Sequence, residues 1–280
     1  MAQIDEVKAQ IMKTVTEVKR TNPMAGSVTN SVTINLVANT QIAVGGSAAM
    51  VYLPDEAEAL AKAGEATYIN LGTMLPVYEE TLTVAVKTLR EADRPWVLDP
   101  VGIGMGRLRT DMLEMFKDYK PEIIKGNASE IIALAGLWGL DEGSQQAGTR
   151  GVDTTESVDE AVGSAVSLAR CTGGAVIVSG ETDLITDGKQ VATSRGGSKF
   201  LGHITGGGCA LGGAAAVYLT RSSPFIAALT AVQVFNVAGR LAEEQTDAPA
   251  SFQVAFLDEL YKAWPEAVAH NHFEMEEYRA

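Results

Sequence analysis

The glycine-rich segment ITGGGCALGGAAAVYL, residues 204–219, carries the clearest potential for chemistry in this chain. Three consecutive glycines, Gly206, Gly207 and Gly208, precede Cys209 and a run of small and apolar residues that predicts a helix. Glycine has no Cβ to hold a ligand away from the backbone, and the first N–H groups of a helix carry partial positive charge. The pattern therefore predicts an anion site of a size that suits phosphate.

Cys209 stands at the start of this predicted helix. The helix N-terminus lowers the pKa of a thiol below its free value of about 8.5, so we expect some thiolate near neutral pH. This makes Cys209 a candidate base or nucleophile. The alternative is a glycine-rich turn that ends in a small buried cysteine.

Two other segments place charged residues at the ends of predicted strands. DPVGIGMGR begins at Asp99, and KGNASE begins at Lys125 and contains Asn127 and Glu130. Each has an ordinary alternative, since Asp99 before a proline starts turns, and Asn127 with Glu130 forms a helix capping box. Together with the glycine segment, however, they supply what phosphoryl transfer needs: carboxylates for Mg²⁺, a cation for phosphate charge, and backbone amides.

The elements that must position these residues alternate between short apolar strands and helices. This alternation predicts an α/β fold, with a mostly parallel sheet between two layers of helices. The predicted strands are 24–28, 48–53, 66–71, 96–99, 122–125 and 175–180, and the predicted helices are 4–20, 31–44, 54–63, 76–92, 107–119, 128–137 and 158–171. Ligands bind at the carboxyl ends of such strands.

The remaining segments have weaker signals. Residues 140–154 are glycine-rich and polar and predict a surface loop or hinge, and Asp187-Gly188 between two short apolar runs predicts a hairpin. Three helices are expected to close the chain, from Cys209, from Pro224 and over 250–270, before an acidic FEMEEYRA end that we expect to fray. Nothing marks a domain boundary, so we expect one domain over 1–280.

Composition limits the class of protein. The 280 residues are 46% hydrophobic and carry a net charge of −13, which argues against a nucleic-acid or anionic-membrane partner. The N-terminus lacks an apolar signal core, and we expect no run near the roughly 18 residues of a membrane span, so the expected location is cytoplasmic. Two distant cysteines and three histidines without metal-ligand spacing support neither a disulfide framework nor a zinc site.

Six segments stand in an order and spacing that is specific when they occur together. They are TNSVTINLVANTQIAVGGSAAM, NLGT, LDPVGIG, KGNASEI, VSGETDLITDG and ITGGGCALG. In these segments, over about 22–219, the chain resembles the hydroxyethylthiazole kinases of the ribokinase-like superfamily. The resemblance implies a three-layer ribokinase-like fold and phosphorylation of the primary hydroxyl of 4-methyl-5-(2-hydroxyethyl)thiazole by ATP and Mg²⁺, in thiamine salvage. It also implies a homotrimer with active sites between subunits.

The resemblance assigns roles to individual positions. The implied thiazole contacts are Asn30, Met50 and Gly206; the implied ATP contacts are Lys125, Ser179, Gly207 and Gly208; the implied Mg²⁺-linked acids are Asp99 and Glu130. Cys209 occupies the position of the aspartate base of other ribokinase-like enzymes. The hydroxyl would lie beside Cys209 in line with the γ-phosphate, and positioning would supply most of the catalysis because the transition state is loose.

The chain also departs from the family pattern. Lys125 stands where the family has arginine, which turns a forked contact into a point charge. Ser179 replaces threonine, Gly207 replaces threonine or alanine, and the usual proline before Met50 is missing. Met50 has core packing as its default explanation.

Alternatives therefore stay open. Other ribokinase-like enzymes, such as a hydroxymethylpyrimidine or pyridoxal kinase or an ADP-forming repair dehydratase, share this fold, although Cys209 and the Met50 segment argue against them. GIGMG at 102–106 is a weak signal for a nicotinamide dehydrogenase. Lys125 and Gly207 also leave open a nucleotide-binding protein without catalysis.

Overall fold

The computed structural model describes residues 2–140 and 157–279. Its strands are β1 (Met24–Val28), β2 (Ser47–Met50), β3 (Ala66–Asn70), β4 (Trp96–Asp99), β5 (Ile123–Asn127), β6 (Ala175–Ser179), β7 (Thr182–Thr186), β8 (Gln190–Arg195) and β9 (Glu274–Glu277). Its α-helices are α1 (Ala2–Thr21), α2 (Ile34–Ala43), α3 (Pro54–Ala63), α4 (Tyr78–Glu91), α5 (Arg107–Tyr119), α6 (Ala128–Leu137), α7 (Val162–Thr172), α8 (Gly207–Leu219), α9 (Pro224–Glu243), α10 (Pro249–Lys262) and α11 (Pro265–His270). Two 3₁₀ helices span Asp159–Ala161 and Lys199–His203.

The strands form one sheet in the order β2-β1-β3-β4-β5-β6-β7-β8-β9. The first six of these are parallel, and β7, β8 and β9 continue the sheet in antiparallel pairs. The β7–β8 turn contains Asp187 and Gly188, and Gly188 has a φ of +84°, so the predicted hairpin is confirmed.

Helices cover both faces of the sheet. Because successive residues of a strand point to opposite faces, they belong to two separate cores. Tyr68 and Val97 belong to a core that packs under α1, α2 and α8–α11, whereas Ile69 and Leu98 belong to a second core under α3–α7. The expected three-layer α/β fold is therefore confirmed.

Two expectations about the end of the chain were wrong. The single helix over 250–270 is two helices, because Pro265 has no N–H to continue the first one. The acidic end does not fray, since β9 pairs with β8 through Met275 and Ala192. The predicted loop or hinge at 140–154 lies, apart from Leu140, outside the described residues.

The expectation that no segment reaches the length of a membrane span was also wrong for α9. Within the described ranges, this 20-residue helix is the one that is long and apolar enough, but 89% of its most apolar 18-residue window is buried inside the protein. We interpret α9 as a core helix.

Candidate active site

The carboxyl ends of neighbouring parallel strands bring several predicted site residues, together with Asn70, to one edge of the sheet. Asn30 follows β1, Asn70 ends β3, Asp99 ends β4, Lys125 lies in β5 and Ser179 ends β6. This edge is where open α/β sheets bind ligands.

Two adjoining cavities open at this edge. One, the Cys209 cavity, has a volume of about 510 Å³, and the other, the Asp183 cavity, has a volume of about 740 Å³. The predicted site residues on the wall of the Cys209 cavity are Asn30, Lys125, Glu130, Ser179, Gly206, Gly207, Gly208 and Cys209. The Asp183 cavity has Ser179, Gly207 and Gly208 on its wall as well. The glycine segment thus lies at the junction of the two cavities.

The glycine segment adopts the geometry that an anion site needs. Gly206 is the N-cap of α8 with a φ of +95°, and a Cβ there would lie 2.6 Å from Thr33 Cγ2. Both features require glycine. The helix begins at Gly207, two residues earlier than expected, and its first turn closes with a 2.8 Å bond from Ala210 N–H to the Gly206 carbonyl. The N–H groups of residues 207–209 therefore have no partner within the helix.

A buried ion pair lies directly behind this segment. Lys125 Nζ lies 3.4 Å from Asp99 Oδ2, and the two side chains are 5% and 0% exposed. The ammonium is also close to the start of α8, since a Cβ on Gly208 would lie 3.0 Å from Lys125 Nζ. Lys125 therefore places a positive charge beside the amides of the glycine segment.

The two charges of this pair shift each other's protonation. Burial raises the pKa of the Asp99 carboxyl, although the Lys125 ammonium opposes this. Burial alone would lower the pKa of Lys125, but the carboxylates of Asp99 and Glu130 outweigh it and raise that pKa. Lys125 therefore stays positively charged at neutral pH.

Cys209 faces the Cys209 cavity with two amides behind its sulfur. Asn70 Nδ2 lies 3.3 Å from Sγ and Asn30 Nδ2 lies 3.7 Å from it. The expected lowering of the thiol pKa was wrong: burial raises the pKa of Cys209, and the nearby negative charge of Asp99 raises it further. Lys125 and the hydrogen bonds to the sulfur only partly offset this. Cys209 is therefore mainly a thiol at neutral pH.

Glu130 forms the capping box that the sequence allowed. Asn127 N–H donates to Glu130 Oε2, and Glu130 N–H donates to Asn127 Oδ1, each at 2.9 Å. Glu130 also lines the Cys209 cavity, and burial raises its pKa against the opposing charge of Lys125. The capping role and a role toward a cation are compatible, because each carboxylate oxygen has two lone pairs.

Asp99 and Glu130 differ in their fit to Mg²⁺. This ion commonly uses one or two carboxylates together with phosphate oxygens and water. Glu130 lines the cavity, while Asp99 is fully buried and its Oδ1 accepts no hydrogen bond from the described residues. No three potential metal-ligating side chains cluster in the described ranges. The donor set therefore fits a hydrated ion that is held largely by phosphate, with Glu130 in reach and Asp99 behind Lys125.

Met50, an expected thiazole contact, is placed elsewhere in the structure. It ends the edge strand β2 and packs against the core, and it is not among the described residues that line the Cys209 cavity. The apolar part of that wall comes instead from Val32, Val101, Met105, Leu201 and Ile204. One chain alone therefore does not bring Met50 to the site.

Several site residues were missed by the sequence analysis. Tyr68 and Asn70 join Cys209 to Asp99 through hydrogen bonds, and Asp183 lines the second cavity. Burial raises the pKa of Asp183 to about 6. Asn70 had a signal, since it is the polar first residue of NLGT at a strand end, whereas a tyrosine inside a strand predicts core packing.

Arg109 acts on the backbone around the cavity. Its Nε donates to the Leu71 carbonyl at 3.0 Å, its Nη2 donates to the Gly72 carbonyl at 2.7 Å, and its Nη1 donates to the Met105 carbonyl. These bonds join the ends of the two loops that follow β3 and β4.

Comparison with known proteins places this geometry in a family. A model of the hydroxyethylthiazole kinase family matches residues 15–266. The hydroxyethylthiazole kinase of Bifidobacterium adolescentis is 47% identical over 273 residues, which cover 94% of this chain and 93% of the relative. That of Bifidobacterium longum is 45% identical over 286 residues, covering 95% and 90%.

Solved structures agree with the fold. The structure of a hydroxyethylthiazole kinase protein from Pyrococcus horikoshii superposes with a TM-score of 0.84 at 28% identity, covering 96% of this chain and 99% of that one. A pyridoxal kinase from Staphylococcus aureus in complex with ADP has a TM-score of 0.61 at 16% identity, covering 91% and 99%. The second likeness supports the ribokinase-like fold alone.

Proposed function

This chain belongs to the hydroxyethylthiazole kinase family, and we propose that it transfers the γ-phosphoryl group of ATP to the primary hydroxyl of 4-methyl-5-(2-hydroxyethyl)thiazole. The product would enter thiamine synthesis by salvage. The observation that carries the proposal is the junction of the two cavities at Gly207 and Gly208, with Cys209 on the wall of one cavity and Asp183 on the wall of the other.

The two cavities suit two substrates of different chemistry. The Cys209 cavity has an apolar wall for a small heteroaromatic ring and polar groups of Asn30 and Cys209 for its hydroxyl. The larger Asp183 cavity leads to the glycine segment and would hold the nucleotide, with its phosphates at the N-terminus of α8. The γ-phosphate then meets the hydroxyl beside Cys209.

In the reaction, the hydroxyl oxygen forms a bond to the γ-phosphorus while the bond to the β–γ bridging oxygen breaks and leaves ADP. The hydroxyl proton leaves late and passes to a phosphate oxygen or to water, because in a loose transition state the new O–P bond is only slightly formed and the attacking hydroxyl is still a weak acid. The raised pKa of Cys209 agrees with a role in orienting the hydroxyl more than in removing its proton. Orientation alone supplies much of the rate in such transfers.

Charge on the transferred group would be balanced by this chain's own dipoles and one cation. The amides of residues 207–209 and the nearby ammonium of Lys125 would surround the γ-phosphate. Asp99 holds Lys125 in place. Glu130 would help to hold Mg²⁺, which would supply positive charge to the phosphates when bound.

A coupled assay of ADP release tests this proposal. ATP and Mg²⁺ are supplied with the thiazole alcohol, and a matched control uses 4-methyl-5-ethylthiazole, which lacks only the hydroxyl. We expect turnover with the alcohol and none above background with the control. Turnover with pyridoxal or hydroxymethylpyrimidine in place of the thiazole would replace the proposed acceptor. Binding of ATP without ADP release for any acceptor would leave a nucleotide-binding protein without catalysis.

We also propose a cytoplasmic homotrimer with active sites shared between subunits. Val32 and Met105, on the wall of the Cys209 cavity, are 66% and 52% exposed, so this cavity opens at an apolar surface of the chain. Leu53 is exposed near Met50 at the β2 edge. A neighbouring subunit on this surface would close the cavity, and it offers a route by which Met50 could contact substrate. The cytoplasmic location accords with the use of ATP.

A further inference from the structure

A chain of buried hydrogen bonds joins the two halves of the site. Asn70 Nδ2 donates to Cys209 Sγ at 3.3 Å and to Tyr68 Oη at 2.8 Å, and the Tyr68 hydroxyl donates to Asp99 Oδ2 at 2.8 Å. Asp99 accepts from Lys125 through the same oxygen. Tyr68, Asn70 and Asp99 are each no more than 2% exposed.

The donor and the acceptor are fixed in each of these hydrogen bonds. Asn70 Oδ1 accepts from Asn30 Nδ2 at 2.8 Å and from Gly72 N–H at 3.0 Å, so its oxygen faces two donors. The amide nitrogen must then face Tyr68 and Cys209, and all four hydrogen-bonding positions of the Asn70 amide are used. A flipped amide would place donors against donors. At the other end, Asp99 holds the Tyr68 hydrogen, so Tyr68 Oη is free to accept from Asn70.

Packing holds the same residues in place. Cys209 and Gly212 lie three residues apart on one face of α8. A Cβ on Gly212 would lie 2.5 Å from Tyr68 Cε2, so α8 rests directly on the tyrosine ring. The sulfur, the amide and the phenol therefore have little room to rearrange.

From these observations we propose that Asn70 is a positioning residue for phosphoryl transfer, and that Tyr68 orients it. The Asn70 amide directs the Cys209 sulfur toward the acceptor hydroxyl and ties it, through Tyr68, to the Asp99–Lys125 pair behind the phosphates. The acceptor and the phosphate are thereby held in one rigid frame. The catalytic readouts below rest on the proposed function.

Two variants and one control test the inference. Asn70→Ala removes the amide, and Tyr68→Phe removes only the hydroxyl. Thr67→Val is the matched control, because Thr67 lies in the same strand, is 3% exposed, and its Oγ1 has no hydrogen-bond partner among the described residues. Alternation places it on the opposite face of the sheet from Tyr68.

Steady-state kinetics give the first readout. Asn70→Ala is expected to lower kcat about 10- to 100-fold, because misplacement of a group at the reaction centre is costly. Tyr68→Phe should lower kcat less, because the Asn70 amide that donates to Cys209 is still present. KM for ATP should stay within about twofold of wild type, and ATP hydrolysis without acceptor should be unchanged. Thr67→Val should match wild type in all three quantities. Unchanged kcat in Asn70→Ala, or a loss confined to KM for ATP and melting temperature, would overturn the inference.

Crystal structures of wild type and the two variants give a readout that needs no acceptor. The Cys209 side chain should occupy one rotamer in wild type and more than one in Asn70→Ala, and the Asn70 amide should turn or lose order in Tyr68→Phe. A Cys209 rotamer that is identical and single in all three proteins overturns the inference even if the protein phosphorylates a different acceptor. Failure of the proposed function appears separately, as wild-type inactivity toward the thiazole alcohol with the rotamer change intact.

Discussion

Lys125 Nζ lies 3.4 Å from Asp99 Oδ2 in a place where both side chains are almost completely removed from solvent. Two buried charges are costly to desolvate, and the pair is tolerated because each compensates the other. The same ammonium lies beside the start of α8. Asp99 therefore stabilises a cation that serves the proposed phosphate site, and does not itself reach the cavity.

Breaking this pair should destabilise the fold. Lys125→Met leaves the Asp99 carboxylate buried without its cation, and we expect the free energy of unfolding to fall by about 3–5 kcal/mol. The double variant Lys125→Met/Asp99→Asn removes both charges and should recover most of that loss. Denaturant unfolding measures all three proteins. A single variant as stable as wild type would mean that the Asp99 carboxylate needs no cation.

Much of the fold could be predicted from the sequence because its signals are local. Helix α3 begins at a proline and β4 is a short apolar run before Asp99-Pro100, and both were placed at their observed bounds. The strand β9 was missed because its residues are mostly acidic and exposed, and only its distant partner β8 makes it a strand.

A glutamine at position 130 should separate the capping role of Glu130 from its proposed role toward Mg²⁺. Glu130→Gln keeps the capping box, so the loss of stability should stay below about 1 kcal/mol. Half-maximal turnover should nevertheless require a higher Mg²⁺ concentration, because a charged oxygen ligand is lost. The measurement is the initial rate against Mg²⁺ concentration at saturating ATP and acceptor.

Glu122→Gln is the control for this experiment. Glu122 is a partly buried acid that accepts from Trp96 N–H at 2.8 Å, next to the amino end of β5 and outside the site. Its variant should show wild-type Mg²⁺ dependence. If the two variants respond alike, Glu130 is a helix cap only.

Asp183 should make stability fall with rising pH. Burial raises its pKa from the usual 3.8 to about 6, so the folded protein holds a proton that the unfolded chain has released over this range. The stability contributed by the protonated form is complete below about pH 4, falls as the pH rises through 6, and stays low above that. The free energy of unfolding of Asp183→Asn minus that of wild type should therefore be about 1–3 kcal/mol more positive at pH 7.5 than at pH 4. Equal differences at both pH values, from denaturant unfolding, would contradict this.

The proposed trimer can be tested at the β2 edge. Wild type should sediment at three times the 29.5 kDa mass of one chain at micromolar concentration. Leu53 is 49% exposed on the proposed interface beside β2. Leu53→Arg places a charge on this surface, so it should shift the protein toward monomer with loss of activity. A single wild-type species near the mass of one chain would refute shared sites.

The site itself could be predicted only in part. Strand-end polar residues and the glycine segment are visible in the sequence, because parallel topology brings strand ends together. The thiol pKa was predicted in the wrong direction, since the helix field was visible but the burial of Cys209 and the charge of Asp99 were not. The Asn70–Cys209 link depends on β3 and α8 lying in contact, which no local pattern indicates.

Cys209 offers the sharpest test, because a role toward the acceptor hydroxyl and a purely packing role give different results. Cys209→Ser keeps the size of the side chain, and Asn70 can still donate to it, so fold and ATP binding should persist while turnover falls about 10- to 100-fold. Cys209→Asp introduces a carboxylate like that of other ribokinase-like enzymes. Asn70 can donate to this group too, while repulsion from Asp99 should lower the melting temperature.

The aspartate variant should retain more activity than the serine variant, because even with a raised pKa a carboxylate is a competent base near neutral pH. Initial rate, ATP affinity and melting temperature are measured together for both variants. A buried cysteine without a catalytic role predicts the opposite, since an aspartate there would cost several kcal/mol and lose stability along with activity. An aspartate variant that is folded and binds both substrates yet is inactive would limit Cys209 to the wall of the anion site.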